Sequence, residues 1–197
     1  MGEISFSNHI SNKKSAINSK TKLAGVAKHN LRKYHSQDYS RDNITLLYGT
    51  TNLMQDVKDV YRKEFDAALY EYNTKQTRPE RRIDDYFEHV SETEQDMAVE
   101  IIIQCGDKGF WEQNMDDRIF MKQVYKQLLL KLQEYLPDFK IANAVLHFDE
   151  ASPHMHVVGV PIGRGFKRGL STKVSKRSVF TSQVLSEVLQ DKMRADA

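Results

Sequence analysis

Apolar residues along the chain follow two rhythms. Between Asn52 and Thr74, Leu53, Val57, Val60, Tyr61, Phe65, Ala68, Leu69 and Tyr72 recur at steps of three and four, which lines one face of a helix. Pro79 resists continuation and closes this stretch. Similar spacing predicts helices from about Thr21 to Tyr34, near Asp84 to Glu94, over Asp116 to Tyr135 (through Ile119, Phe120, Val124, Leu128, Leu129 and Leu132) and over Thr181 to Met193. The second rhythm belongs to strands. Met97 to Gln104 carries the run Val99, Ile101, Ile102, Ile103, a buried-strand signal, and Glu3 to Ser7 alternates briefly before a polar loop reaching Thr21. Arg41 to Tyr48 reads as a loop entering a short strand. Lys140 to Phe148 and His154 to Ile162 read as an antiparallel pair joined by a polar connection containing Pro153, and Gly163 to Gly169 as a glycine-and-basic turn. Strands interleaved with long helices predict an α+β fold, an antiparallel central sheet flanked by helices.

At 197 residues, 40% hydrophobic and 28% charged, the chain suits a single domain with one substantial core over residues 1–197. No apolar run approaches the ~20 residues of a membrane helix, and the N-terminal stretch lacks the apolar middle of a signal peptide, so the expected location is cytoplasmic. The single cysteine, Cys105, excludes an intramolecular disulfide and a cysteine-rich zinc site; it is expected to be buried in a strand. The net charge of +2 hides a division: residues 1–82 carry 15 Lys and Arg against 9 Asp and Glu, residues 83–150 carry 6 against 15, and residues 151–197 carry 8 against 3. Two basic flanks around an acidic middle form either a positive face for a polyanion or a set of solvated helix faces.

The segment from His147 to His156, His-Phe-Asp-Glu-Ala-Ser-Pro-His-Met-His, carries the chemistry. Side chains alternate faces along a strand, so His154 and His156 share one, and a strand pair folded back at Pro153 brings His147 to them. Three imidazoles on two paired strands make a facial set with open positions, which suits a catalytic divalent cation better than a closed structural site. Val145, Val157 and Val158 are expected to surround them. A lone strand histidine is ordinarily a hydrogen-bonded core or surface residue; three beside two carboxylates favour a ligand set. Asp149 shares parity with His147 and either orients an imidazole or is a turn acid. Glu150 either approaches the metal, acts as a general base, or is a turn acid.

The segment HFDEASPHMHVVGVP resembles the signature of the Mob/Pre (MobV-type) relaxases, members of the histidine-hydrophobe-histidine endonuclease superfamily. Near the N-terminus, Lys28-His29-Asn30-Leu31-Arg32 resembles that family's His-Asn-x-x-Arg motif on its first helix. Arg168-Gly169-Leu170-Ser171-Thr172-Lys173 resembles its Gly-Lys-Leu-Ser-x-Lys stretch, with an Arg before the Gly and no Lys directly after it. These motifs stand in the family's order across nearly the whole chain. The resemblance implies a relaxase-like or rolling-circle-initiator-like sandwich in which His147, His154 and His156 bind Mn²⁺ or Mg²⁺ and His29 attacks DNA, leaving a phosphoramidate to the 5′ end. It further implies nicking and rejoining at an origin of transfer, the step that starts plasmid or transposon mobilisation.

His29 must present a neutral nitrogen, which Glu150 is expected to promote. Arg32, expected one turn further along the same helix face, pairs either with a DNA phosphate or with a nearby acid. Tyr34, Tyr39 and Tyr48 lie near enough in sequence to leave a tyrosine nucleophile open, Tyr34 first among them as a residue of that helix. The basic flanks nominate Arg41, Arg78, Arg81, Arg82, Lys167, Arg168, Lys173, Lys176 and Arg177 for DNA phosphates, the Lys167 to Arg177 group above the rest. The DNA partner is expected to be an origin hairpin with a single strand threaded to the metal. Rival readings are a rolling-circle initiator with a tyrosine nucleophile and a non-catalytic DNA-binding module with a structural metal. Family resemblance also implies an N-terminal catalytic portion of a longer protein, with self-association through a C-terminal region and no membrane contact from this domain.

Overall fold

The computed structural model describes residues 4–34, 41–114 and 120–197. Glu3, Tyr39 and the predicted helix start from Asp116 to Ile119 lie outside them. In chain order the elements are β1 (Phe6–Ile10), α1 (Lys20–Asn30), β2 (Ile44–Tyr48), α2 (Leu53–Thr74), α3 (Tyr86–Ser91), β3 (Val99–Cys105), α4 (Lys108–Gln113), α5 (Met121–Tyr135), β4 (Phe139–His147), β5 (His154–Arg164), β6 (Thr172–Val174) and α6 (Lys176–Val179). A C-terminal helix, wound as a π-helix over Val184–Lys192, follows. The strands form one antiparallel sheet ordered β1-β3-β5-β4-β2, with β6 added to the far end of β5.

β5 is the central strand, buried on both faces along nearly its whole length, which explains its almost unbroken apolar sequence. Each face carries its own core. On one face Val145, Val158 and Val160 meet Leu23 and Ala27 of α1, Leu53, Val57, Tyr61 and Phe65 of α2, and Phe87 and Val90 of α3. On the other, Ile101, Ile103, Met155 and Val157 meet Trp111 of α4, Tyr125, Leu128 and Leu132 of α5, and Leu189 of the C-terminal helix. Val157 therefore backs away from the histidines that it was expected to surround; only Val145 and Val158 share their face, because alternation along β5 divides neighbouring valines. Cys105 ends β3 in the second core.

Sequence signals fix most helix starts. Asn52 caps α2 by accepting from Gln55 N, Asp85 caps α3 through Glu88 N, and Asp107 caps α4 through Phe110 N. The end of α1 departs from expectation: the helix stops at Asn30, and Arg32 takes a left-handed φ of 46°. Lys33 N bonds to Lys28 O (2.9 Å) and Arg32 N to His29 O (3.1 Å), the paired bonds of a Schellman ending with Arg where glycine is usual. Arg32 and Tyr34 are thus beyond the helix. The elements not predicted, α4, β6 and α6, are six, three and four residues long.

Gly159 sits on β5 between Val99 and Ile141, where an added Cβ would lie 2.7 Å from the Phe139 ring and 2.8 Å from Lys140 O. Gly159→Ala is expected to cost about 1–3 kcal/mol of unfolding free energy, as overpacking in a close-packed interior does, read as a lower midpoint in urea.

Candidate active site

Antiparallel pairing of β4 and β5 sets His147 directly opposite His154 and Val145 opposite His156. The rings of His147, His154 and His156 consequently converge, with centroids 4.5 to 5.2 Å apart. His29, on the last turn of α1, joins them at 5.6 Å from His147 and 5.2 Å from His156. Two sets of donor atoms lie within 4.8 Å of one another, His29 with His147 and His156, and His147 with Glu150 and His154; the predicted triad spans both sets. Tyr125 braces the connection between the strands: its hydroxyl accepts from Cys105 N (2.9 Å) and donates to Pro153 O (2.6 Å).

Hydrogen bonds assign each ring a tautomer. His147 Nε2 faces the Asn30 carbonyl at 2.8 Å, His154 Nδ1 the Ser152 carbonyl at 2.9 Å, and His156 Nδ1 the Glu100 carboxylate at 2.9 Å. Those oxygens only accept, so the facing nitrogens carry protons, and in each ring's neutral form the opposite nitrogen holds a lone pair. His156 Nε2 is buried with no partner among the described residues, and His154 Nε2 lies 3.8 Å from Glu150 Oε1. His147 Nδ1 accepts from Arg32 Nη2 at 2.9 Å, so a cation ligated there takes the place of that contact. An orphaned imidazole lone pair in a buried site, beside rings held by outer acceptors, fits a divalent metal.

Arg32 organises the rest. Its side chain is 0% exposed and pairs with Asp149 through Nε (2.8 Å) and Nη2 (2.7 Å), while Nη2 also reaches Glu150 (2.7 Å). Nη1 donates to His29 O and to the Tyr34 hydroxyl, both at 3.3 Å. Of its two expected partners, the structure gives Arg32 the nearby acids. Asp149, read from sequence as either an imidazole-orienting acid or a turn acid, bonds to Arg32, which in turn contacts His147.

Glu100 of β3 is the site residue the sequence reading missed. Its Oε1 accepts from both His156 Nδ1 and Asn30 Nδ2, at 2.9 and 2.8 Å. The only signal was a single acid interrupting an apolar strand, and its partner depends on the β3–β5 register.

Electrostatics favour neutral rings and ionised acids. Burial, then the neighbouring His156, pushes His147 down to about 3. Burial also lowers His154, and desolvation of its inner side, followed by His156 and Arg32, lowers His29. Burial works to raise Glu100, Asp149 and Glu150, but hydrogen bonds from His156 to the first and from Arg32 to the other two hold all three below the usual range. Among the described residues, Glu100, Asp149 and Glu150 against the Arg32 guanidinium leave an excess of negative charge beside His29, His147 and His154, suited to a cation.

The nominated DNA contacts scatter. Arg41 Nε bonds to Arg32 O (3.2 Å), and Lys176 pairs with Asp96 (3.2 Å). Lys173 pairs opposite Gly163, nine residues along β5 from His154, which is about 30 Å at ~3.3 Å per residue. There, with Arg81, Arg82 and His89, it lines a cleft beside α3; Lys167 lines a neighbouring hollow, and Arg168 and Arg177 are exposed. Tyr48 lines a separate cleft with Asp56 and Phe139.

An antiparallel α+β sheet presenting a histidine cluster at its central hairpin, with a further histidine brought in on a helix, defines a candidate metal-assisted enzyme site. The chain belongs to the Mob/Pre family of plasmid recombination enzymes, whose sequence profile matches residues 8–196. Among solved structures it is similar to the MobM relaxase domain bound to plasmid pMV158 oriT DNA. The Mn-bound crystal structure at pH 6.8 has 22% identity and a TM-score of 0.55, covering 99% of this chain and 86% of that one. The Mn-bound structure at pH 5.5 gives 21%, 0.53 and the same coverages. At this identity the likeness shows the fold. Comparison with curated proteins gives no match. Among the described residues no helix is long and apolar enough to cross a membrane.

Two outcomes follow from the charges. His147 titrates in the folded state near 3 and in the unfolded chain near ~6.5, so the unfolded chain takes up the proton first as pH falls; stability is full above pH ~6.5 and declines from there toward 3. The depressed carboxylates act in the same direction further down, retaining their contribution above the unfolded values near ~4 and losing it as pH falls through the folded ones. Urea midpoints of the chelator-treated protein are expected to fall continuously from pH 6.5 to 3.5. Asp149→Asn breaks a buried ion pair and is expected to cost about 3 kcal/mol, measured by chemical unfolding at pH 7.

Proposed function

We propose that this enzyme nicks and rejoins one DNA strand at an origin of transfer, using Mn²⁺ or Mg²⁺ and His29 as nucleophile, to start plasmid or transposon mobilisation. The observation that carries the reading is His29 itself: an exposed, neutral-leaning imidazole set against His147 and His156, the buried donors of the metal site. The Mn-bound, oriT-bound state of the similar MobM domain supplies the cofactor and substrate class.

His147, His154 and His156 hold the ion, which when bound neutralises charge on the phosphoryl oxygens. The His29 lone pair attacks phosphorus, a nitrogen–phosphorus bond forms, and the bond to the 3′ oxygen breaks. That oxygen leaves and takes up a proton as the 3′-hydroxyl. The phosphoramidate conserves the bond, so attack by the same hydroxyl reverses the step and reseals the strand. The fields of Glu150 and then Glu100 favour a proton on the His29 ring, while desolvation, His156 and Arg32 disfavour it; the balance leaves the attacking nitrogen free. Arg32 keeps Glu150 ionised and holds the end of the His29 helix to the metal strands. Arg41, Arg82, Lys167, Arg168, Lys173, Lys176 and Arg177 remain the nominated DNA contacts. Lys176 reaches DNA only by leaving Asp96, and the Arg82 and Lys173 cleft meets DNA well away from the scissile phosphate.

The test incubates protein, Mn²⁺ and supercoiled DNA carrying the parent element's origin. Wild type and Tyr34→Phe are expected to form an acid-labile covalent adduct, and His29→Ala none while still binding Mn²⁺. An acid-stable adduct lost in Tyr34→Phe would establish a tyrosine nucleophile; binding with no adduct would establish the DNA-binding module. For the distant cleft, Arg82→Gln with Lys173→Gln is expected to weaken origin binding and to lower the slope of log affinity against log salt by about 2, measured by fluorescence anisotropy.

A further inference from the structure

Asn30 and Glu100 lie between the two halves of the site. Asn30 is the last residue of α1, directly after His29, and is 1% exposed. Its carbonyl accepts from His147 Nε2 (2.8 Å), and its side-chain amide donates to Glu100 Oε1 (2.8 Å). The same Glu100 oxygen accepts from His156 Nδ1 (2.9 Å). Glu100 is itself fixed in β3, where its carbonyl accepts from Ser11 N (2.8 Å) and its amide donates to Ser11 Oγ (3.3 Å). One residue of the nucleophile helix is therefore bonded to one candidate ligand through its main chain and to a second through a carboxylate.

We infer that Glu100 and Asn30 are positioning residues, a strut that sets the orientation of His156 toward the cation and of His29 toward the phosphate as one unit; the inference rests on the function proposed above. The two residues divide the work. Glu100 holds the His156 ring with its Nε2 lone pair inward and, as an anion behind the imidazole, makes that nitrogen a better donor. Asn30 anchors the end of α1 to this carboxylate, so that the His29 ring keeps its line of attack. A purely structural polar bridge would lower thermal stability alone.

The experiment measures Mn²⁺ affinity by calorimetry, single-turnover nicking of the parent element's origin DNA, and thermal melting, for wild type, Glu100→Gln, Glu100→Asp and Asn30→Ala. Glu100→Gln is expected to weaken Mn²⁺ binding roughly 10- to 100-fold. Glu100→Asp, which keeps the charge but withdraws it by one methylene, is expected to fall between Glu100→Gln and wild type. Asn30→Ala leaves both His156 and its carboxylate in place and is expected to bind Mn²⁺ as wild type does, while the nicking rate falls on the order of 10²-fold at unchanged DNA affinity. Wild-type Mn²⁺ affinity in a folded Glu100→Gln overturns the metal half of the strut, and a wild-type nicking rate in Asn30→Ala overturns the alignment half. Weakened metal binding in Glu100→Gln, with no nicking by wild type, upholds the metal half and counts against the nicking function instead.

Discussion

A guanidinium closed off from solvent joins the pieces of the site. Arg32 stands just past the end of α1, yet its partners Asp149 and Glu150 belong to the connection between β4 and β5, more than a hundred residues on. Through the same group it touches His147, the Tyr34 hydroxyl and the His29 carbonyl. A buried charge of this kind is tolerable only when every nearby donor and acceptor is matched, so the helix end and the strand connection are obliged to meet in one geometry. His29 inherits its place from that obligation.

The histidines follow the same logic in neutral form. Each of His147, His154 and His156 donates a hydrogen bond to a fixed oxygen, two of them backbone carbonyls that cannot change ionisation. The ring orientations are therefore set by the fold before any ligand arrives, and the charge excess near them comes from carboxylates rather than from the rings.

Much of this was legible in the sequence because it rests on local rules. The alternation of His154 and His156, the turn at Pro153 and the helical spacing of α2 predict elements observed within a few residues. What escaped depends on contacts distant in sequence. No glycine marks the end of α1; an arginine takes the left-handed position, and its buried pairing with Asp149 accompanies that ending. Glu100 looks like a solvent-side residue of an apolar strand until the β3–β5 register places it beside His156. The three-residue β6 is too short to show a period of its own, and it exists because β5 runs on to Arg164 and leaves an edge to pair. Lys173, just after β5, is close to the histidines in sequence but most of a strand's length away in space.

Position 32 is where the interests of the backbone and of the side chain part. A left-handed residue closing a helix is ordinarily glycine, and a side chain there costs roughly 1 kcal/mol relative to a relaxed conformation. Glycine here would relax the backbone but remove the guanidinium that pairs with buried Asp149, a loss larger than the strain it relieves. The left-handed arginine is thus the backbone's record of a side-chain pairing formed across more than a hundred residues, visible in a single dihedral angle.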